Sequence, residues 1–261
     1  MSDWLHNLPL AWMALVVFGL TYLITLAIYR LVASLAVGER ARSFKAVSPG
    51  MLPPLGIIFG LFVAFTAAQV WSDNEQAGAA VNREASALRS VVLLAANFPG
   101  DSETRLLALV RRYIEDSASQ EWPAMARATA DLRTISRPLT DALQLTLSLK
   151  PEGPGGTTAQ RDMASALQTV LDARRQRILV SRSEVNLTKW ACLLLQAVCA
   201  LFAIALVHAD NRLASALSLG LFATGVAASV LLIAAHDRPF VGQLAVTPEP
   251  LLQVMPEANS S

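Results

Sequence analysis

Three histidines, two cysteines and one run of arginines are the residues of this 261-residue chain whose types could do more than pack. His208 and His236 flank the apolar stretch 213–235. About 30–40 Å of helix would separate them, so they cannot share a metal. His6 stands alone near the start of the sequence. No Cys or His cluster has zinc spacing. Cys192 and Cys199 are seven residues apart in one apolar stretch. That is about 10 Å of helical rise, too far for a disulfide within the helix, and both read as small packing residues. No Gly-rich loop ends in Lys-Ser or Lys-Thr, and no Gly-x-Ser-x-Gly elbow is present. Asn186-Leu-Thr188 matches the glycosylation triplet but falls where a helix would enter a membrane, and is read as chance. Arg174, Arg175, Arg177 and Arg182 precede the third apolar stretch. They form either a solvated face beside lipid headgroups or a face that attracts anions. No catalytic residue, metal or cofactor is assigned, and the chain is not expected to be an enzyme.

The elements that carry these residues are set by charge distribution. Only 16% of residues are charged, against about 25% in an ordinary soluble domain. Residues 7–29, 46–72, 190–209 and 213–235 contain no Asp, Glu, Lys or Arg. Each is long enough for the roughly 20 residues that cross a hydrocarbon core as a helix. Four such stretches, in two closely connected pairs, predict an all-α integral membrane protein with four transmembrane helices. The expected spans are 10–35, 52–71, 187–207 and 213–235. The first has only Asp3 ahead of it and no basic leader, so it is expected to be a retained span. The net charge is +1 and there is no basic run, so nucleic acid is not an expected partner.

Between the hairpins lies a helical, water-exposed insert. No breaker follows Trp71, and Ala77, Val81, Ala85, Leu88 and Val92 recur at helical spacing. The second helix is therefore expected to run on until Asn97-Phe-Pro-Gly100. An amphipathic helix over about 103–119 follows, then a restart near Trp122-Pro123. A further helix is expected over 140–149. Lys150-Pro-Glu-Gly-Pro-Gly-Gly156 reads as a loop. Met163, Leu167, Val170, Leu171, Ile178 and Val185 then mark a long helix expected to run directly into the third span. The expected domains are a first membrane hairpin (1–71), the helical insert (72–186), a second hairpin (187–236) and a Pro-rich tail (237–261).

The spans carry no ionised residue in their central parts. Carriers and proton relays usually do, which argues against them. A pore with a hydrophobic constriction is still allowed. Gly56-Ile-Ile-Phe-Gly-Leu-Phe-Val-Ala-Phe65 in the second span resembles the start of the bestrophin pore helix. Asp73-Asn-Glu75 and Asn82-Arg-Glu84 continue that resemblance. Asp237-Arg-Pro-Phe-Val-Gly242 is similar to the segment after the bestrophin fourth span, and the whole chain resembles the bacterial bestrophin-like family. The resemblance implies a pentamer around one axial pore, with Ile57, Leu61 and Phe65 lining its neck. Their i, i+4, i+8 spacing puts them on one helical face. Gly56, Gly60 and Ala64 fall on an adjacent face and would let neighbouring helices approach closely. Thr66 stands where bestrophins commonly carry an Arg. The acidic calcium-binding cluster of animal bestrophins is not recognisable, so calcium dependence is not expected.

Two functions follow as expectations. One is a homo-oligomeric ion channel in a bilayer, passing chloride or another small anion. The alternative is a membrane-anchored sensor or scaffold whose insert binds a partner, with no ion conduction. The resemblance implies a bacterial inner-membrane protein with the insert and both termini cytoplasmic. Arg40, Arg42 and Lys45 in the first connection argue for the opposite orientation, while Arg174 to Arg182 favour the resemblance.

Overall fold

The computed structural model describes residues 8–36, 49–133, 136–151 and 153–257, and among them it is helical with no strand. The charged first connection, with Arg40, Arg42 and Lys45, lies outside the described residues, as does His6. The apolar stretches form α1 (Leu10–Leu35), the start of α2 (Leu52–Ala95), α7 (Leu187–Val207) and α8 (Arg212–His236). All four are long and apolar enough to cross a membrane, which makes this a multi-pass membrane protein. Between α2 and α7 come α3 (Asp101–Asp116), a π-helical turn (Ser117–Glu121), α4 (Trp122–Ala126), α5 (Arg137–Ser148) and α6 (Gly153–Val180). The short α9 (Glu249–Leu252) follows α8.

Contacts divide the chain into two compact units. The first comprises residues 1–72, 184–237 and 242–244. Its interior is apolar: Met13, Val17, Phe59, Val70, Trp190, Leu193, Val226 and Ile233 form one cluster. Ile28, Val32, Leu201 and Leu219 form another. Phe59 of α2 meets Phe222 of α8 at 5.7 Å between ring centroids. One polar contact stands out, from Lys189 Nζ at the start of α7 to Gln69 Oε1 of α2.

The second unit comprises residues 73–183, 238–241 and 245–261. Its core draws on every helix of the insert, with Leu88, Leu106, Ile114, Leu139, Met163 and Leu167 at most 2% exposed. The chain after α8 belongs here as well. Phe240 packs edge-on against Trp122 at 5.9 Å, Trp122 Nε1 donates to the Val246 carbonyl at 3.0 Å, and Leu251 is fully buried. The expected separate tail is thus mostly part of the helical domain. Phe240 and Val246 meet Trp122 of α4, and Leu251 joins the same core.

Three boundaries differ from expectation. α2 runs without a break to Ala95, as its unbroken helical pattern predicts, but α6 does not run into α7. It ends at Val180, and residues 181–186 turn before Asn186 caps α7, its side chain accepting from the Lys189 amide at 2.9 Å. An Asn that satisfies a free amide favours a helix start over a helix interior. That cap also gives Asn186 a structural role. α6 begins at Gly153, inside the expected loop, because Pro154 in a first turn needs no amide partner. α3 reaches α4 through the π-helical turn, which inserts the extra residue that plain helical periodicity does not register.

Candidate functional site: an open face on α2 and a buried charge cluster

The expected neck residues lie on α2, in the first unit. Ile57, Leu61 and Phe65 are 68%, 54% and 68% exposed. At about 100° per residue they span a sector of about 80°. Phe59, Thr66 and Val70, on the opposite side of the helix, are buried against the protomer's own helices. The structure therefore turns the stripe away from the protomer interior. Gly56, Gly60 and Ala64, on the neighbouring sector, are exposed too. A Cβ added at Gly56 or Gly60 would meet nothing within 4 Å. Thr66 is 5% exposed and bonds back to the Phe62 carbonyl at 2.8 Å, which places it off the open face. Farther along α2 within the first unit, Ala68 and Ser72 fall in the same angular sector as the stripe and are exposed; in the second unit, Glu75, Ala79, Asn82 and Ser86 of α2 are exposed as well.

The second constellation lies in the helical domain. Arg174 and Arg177 do not form a solvated face with Arg175 and Arg182. Arg177 is fully buried and Arg174 is 8% exposed at its side chain, whereas Arg175 and Arg182 are exposed. Arg177 Nε donates to Glu84 Oε2 at 2.8 Å and its Nη2 to Glu84 Oε1 at 3.0 Å. The same Nη2 reaches Glu121 Oε2 at 2.9 Å. Arg174 takes the other oxygen of Glu121, from Nε at 2.8 Å and Nη2 at 2.5 Å. The guanidinium of Arg177 also stands 4.4 Å over the Trp122 ring, a favourable cation–π distance. Tyr113 completes the cluster by donating its hydroxyl to Glu84 Oε1.

Two cations and two carboxylates make this quartet neutral, which is the condition for burying charge at tolerable cost. Burial opposes the charge on Arg177, but Glu84 beside it outweighs that and holds the guanidinium protonated well above its usual range. Burial first, and the Glu84 charge second, push the Tyr113 hydroxyl well above its ordinary range. Every ionised member is satisfied by another, and the cluster ties α2, α3, the π-helical turn and α6 together. It is a clamp within the domain. Tyr113 and Glu121 were not singled out from the sequence. Glu84 sits on the apolar stripe Ala77, Val81, Ala85, Leu88, and Arg174 and Arg177 follow Leu167 and Val170 at helical spacing. Charges on the apolar sides of two helices were the available signal that they pair.

The segment after α8 contributes capping contacts. Asp237 Oδ1 accepts from the Val185 amide at 2.6 Å, and Arg238 Nη2 donates to the Ala126 carbonyl at 3.2 Å. Cys192 and Cys199 are free and exposed on α7. His208 and His236 each place Nδ1 3.0 Å from the carbonyl four residues back. Among the described residues no group of three His, Cys, Asp or Glu could hold a metal ion.

Comparison with known proteins agrees with this architecture. The family model of the bestrophin-like domain matches residues 15–251. No curated protein matches the sequence. Two crystal structures of single-residue variants of a bacterial bestrophin homologue from Klebsiella pneumoniae share the fold. One has a TM-score of 0.68 at 13% identity, covering 94% of this chain and 99% of its own. The other has a TM-score of 0.70 at 13% identity, covering 93% and 97%. A further crystal structure, described as a membrane protein, gives 0.67 at 12% identity over 94% and 99%. With a family model that spans the four membrane helices and the helical domain, the chain belongs to the bestrophin-like family.

Proposed function

We propose that this protein is the subunit of a homo-oligomeric ion channel, a pentamer in a bacterial inner membrane, with its neck on α2. The observation that carries the reading is the open face of α2. Its apolar residues Ile57, Leu61 and Phe65 face away from the protomer, and the small residues Gly56, Gly60 and Ala64 beside them are exposed too. A lone protomer leaves Ile57, Leu61 and Phe65 uncovered. Subunits brought together at Gly56, Gly60 and Ala64 would turn it toward a common axis. Ions would then cross a ring of apolar side chains that can close by dewetting, and enter a polar passage beyond it.

Chloride or another small anion is the proposed permeant ion. Arg174 and Arg177 do not support it, since both are committed to Glu84 and Glu121. The support is the balance of exposed charge along the extension of α2, where Arg83 and Arg89 outnumber Glu75. The insert and both termini are proposed to be cytoplasmic. The test is the reversal potential of purified protein in planar bilayers under a KCl gradient, with Phe65→Ala beside the wild type. A potential near the chloride equilibrium value, with larger or less gated current from Phe65→Ala, is expected. A potential near the potassium value would keep the pore and overturn the selectivity. Silence from both proteins, shown to be folded, would overturn the channel.

A membrane-anchored sensor is the second reading. It is favoured by one observation, a cavity of about 600 Å³ within the helical domain. A sensor without a pore would be monomeric or dimeric in detergent.

A further inference from the structure

That cavity lies wholly inside the helical domain, between α3, the π-helical turn, α5 and α6. Its volume is in the range of small-molecule sites. Two walls repeat one pattern. α3 presents Arg112 and Asp116, and α5 presents Arg137 and Asp141. In each, the carboxylate follows the arginine by four residues, one turn along the helix. Neither pair closes into a salt bridge among the described residues, although the same spacing does close at Arg105 with Asp101. The floor holds Glu121 and Arg174, the less buried edge of the charge quartet.

Ser117 also lines the cavity, at the first position of the π-helical turn. It is 1% exposed, and its hydroxyl has no hydrogen-bond partner. This is unusual within the domain. Several helical hydroxyls here bond back to a carbonyl four residues earlier, as Ser90, Ser119, Thr140, Thr146 and Thr169 do. That local bond is the default for Ser and Thr in helices. Ser117 makes no such bond, and a buried hydroxyl without a protein partner costs about 1–3 kcal/mol. A π-helical turn within an α-helix is itself a frequent mark of a functional site.

We propose that this cavity binds a small zwitterion of amino-acid or dipeptide size. Its carboxylate is met by Arg112 or Arg137, its ammonium by Asp116 or Asp141, and a polar group of the ligand by the Ser117 hydroxyl. A simple anion would leave the charges of the wall carboxylates unanswered, Asp116 having only the neutral Gln120 amide at 3.3 Å, and a simple cation would meet the arginines. A dipolar ligand answers both. Bound there, it would also touch Glu121, whose second oxygen holds Arg177 against Glu84 of α2. The proposal does not rest on ion conduction.

The experiment is titration calorimetry on the full chain in nanodiscs, with L-glutamine and glycylglycine as probes and acetate, methylammonium and propionamide as controls. Saturable binding of at least one zwitterion, and of no control, is expected. Ser117→Ala should weaken it about tenfold, the loss of one hydrogen bond to a polar ligand. The unliganded melting temperature should stay the same or rise, because an unsatisfied hydroxyl has gone. Asp141→Asn, at an exposed position, should weaken binding without touching the quartet. Three results would overturn the proposal. They are no zwitterion binding at millimolar concentration, acetate or methylammonium binding as well as the zwitterions, or Ser117→Ala binding like the wild type. In the last case the hydroxyl serves only cavity water.

Discussion

Tyr113 shows how far one side chain's chemistry can be set by its neighbours. Its hydroxyl is a hydrogen-bond donor to a carboxylate that already faces Arg177, and the side chain is buried. Removing it leaves Glu84 one donor short in a buried site. Tyr113→Phe should therefore cost about 1.5–3 kcal/mol, the range for a hydrogen bond to a charged group. The pH dependence separates this from a packing effect. Tyr113 holds its proton well above the ordinary value, while the unfolded chain releases it near about pH 10. Below that pH the contribution is complete. Above it the unfolded state binds fewer protons than the folded state, so stability falls as pH rises. The variant has no such proton to lose. Equilibrium unfolding in detergent should show the gap between wild type and Tyr113→Phe narrowing above about pH 10. A gap that stays constant through that range would mean the hydroxyl is not held as described. The sequence announced this cluster only in part. Glu84, Arg174 and Arg177 interrupt apolar stripes and so could have been read as paired. Tyr113 sits among apolar residues where any aromatic would fit, and Glu121 belongs to a turn whose extra residue shifts the register of everything after it.

At the scale of elements, periodicity and charge predicted helices well and their joints poorly. α1 and α7 match the expected spans 10–35 and 187–207, and α2 runs on to Ala95 because nothing between Trp71 and Asn97 breaks a helix. Joints depend on single polar contacts. Asn186 caps α7 through one side-chain bond, and a helical pattern on either side of it hides the break. What the pattern also hides is which face of a membrane helix meets protein. α2 is apolar all around over its first half, and only the structure separates Phe59 and Val70, buried, from Ile57, Leu61 and Phe65, exposed. The role of the small residues beside that stripe can be tested on its own. Gly60 has open space around it in the protomer. Gly60→Leu should thus leave the protomer folded and raise helix propensity by roughly 0.5–1 kcal/mol. If neighbouring helices meet there, the added side chain holds them apart. Native mass spectrometry should then show smaller oligomers than for the wild type. An unchanged oligomer would assign this face to lipid.

For the whole molecule, the order of residues along the chain does not match the order of its units. The helical domain takes most of its core from 73–183 and completes it with 238–241 and part of 245–261, after the last membrane helix. The completing contacts are specific. Phe240 covers the edge of Trp122, the Val246 carbonyl takes its indole proton, and Leu251 is buried in the same core. Trp122 in turn supports the Arg177 guanidinium at 4.4 Å. A fragment containing only residues 73–183 would therefore expose Trp122, leave its indole without that acceptor and open a gap where Leu251 sits. Loss of one buried Leu alone costs about 2–5 kcal/mol, and an aromatic contact adds about 0.5–1.5 kcal/mol. A domain with typical stability of about 5–15 kcal/mol cannot lose that much and remain firmly folded. Fragment 73–183 should accordingly melt broadly or not at all by circular dichroism. The same fragment with residues 238–257 restored through a flexible linker should recover a cooperative transition. If both fragments melt alike, the segment after α8 is a passenger on a domain complete without it. If only the second melts cooperatively, the helical domain is made of both pieces.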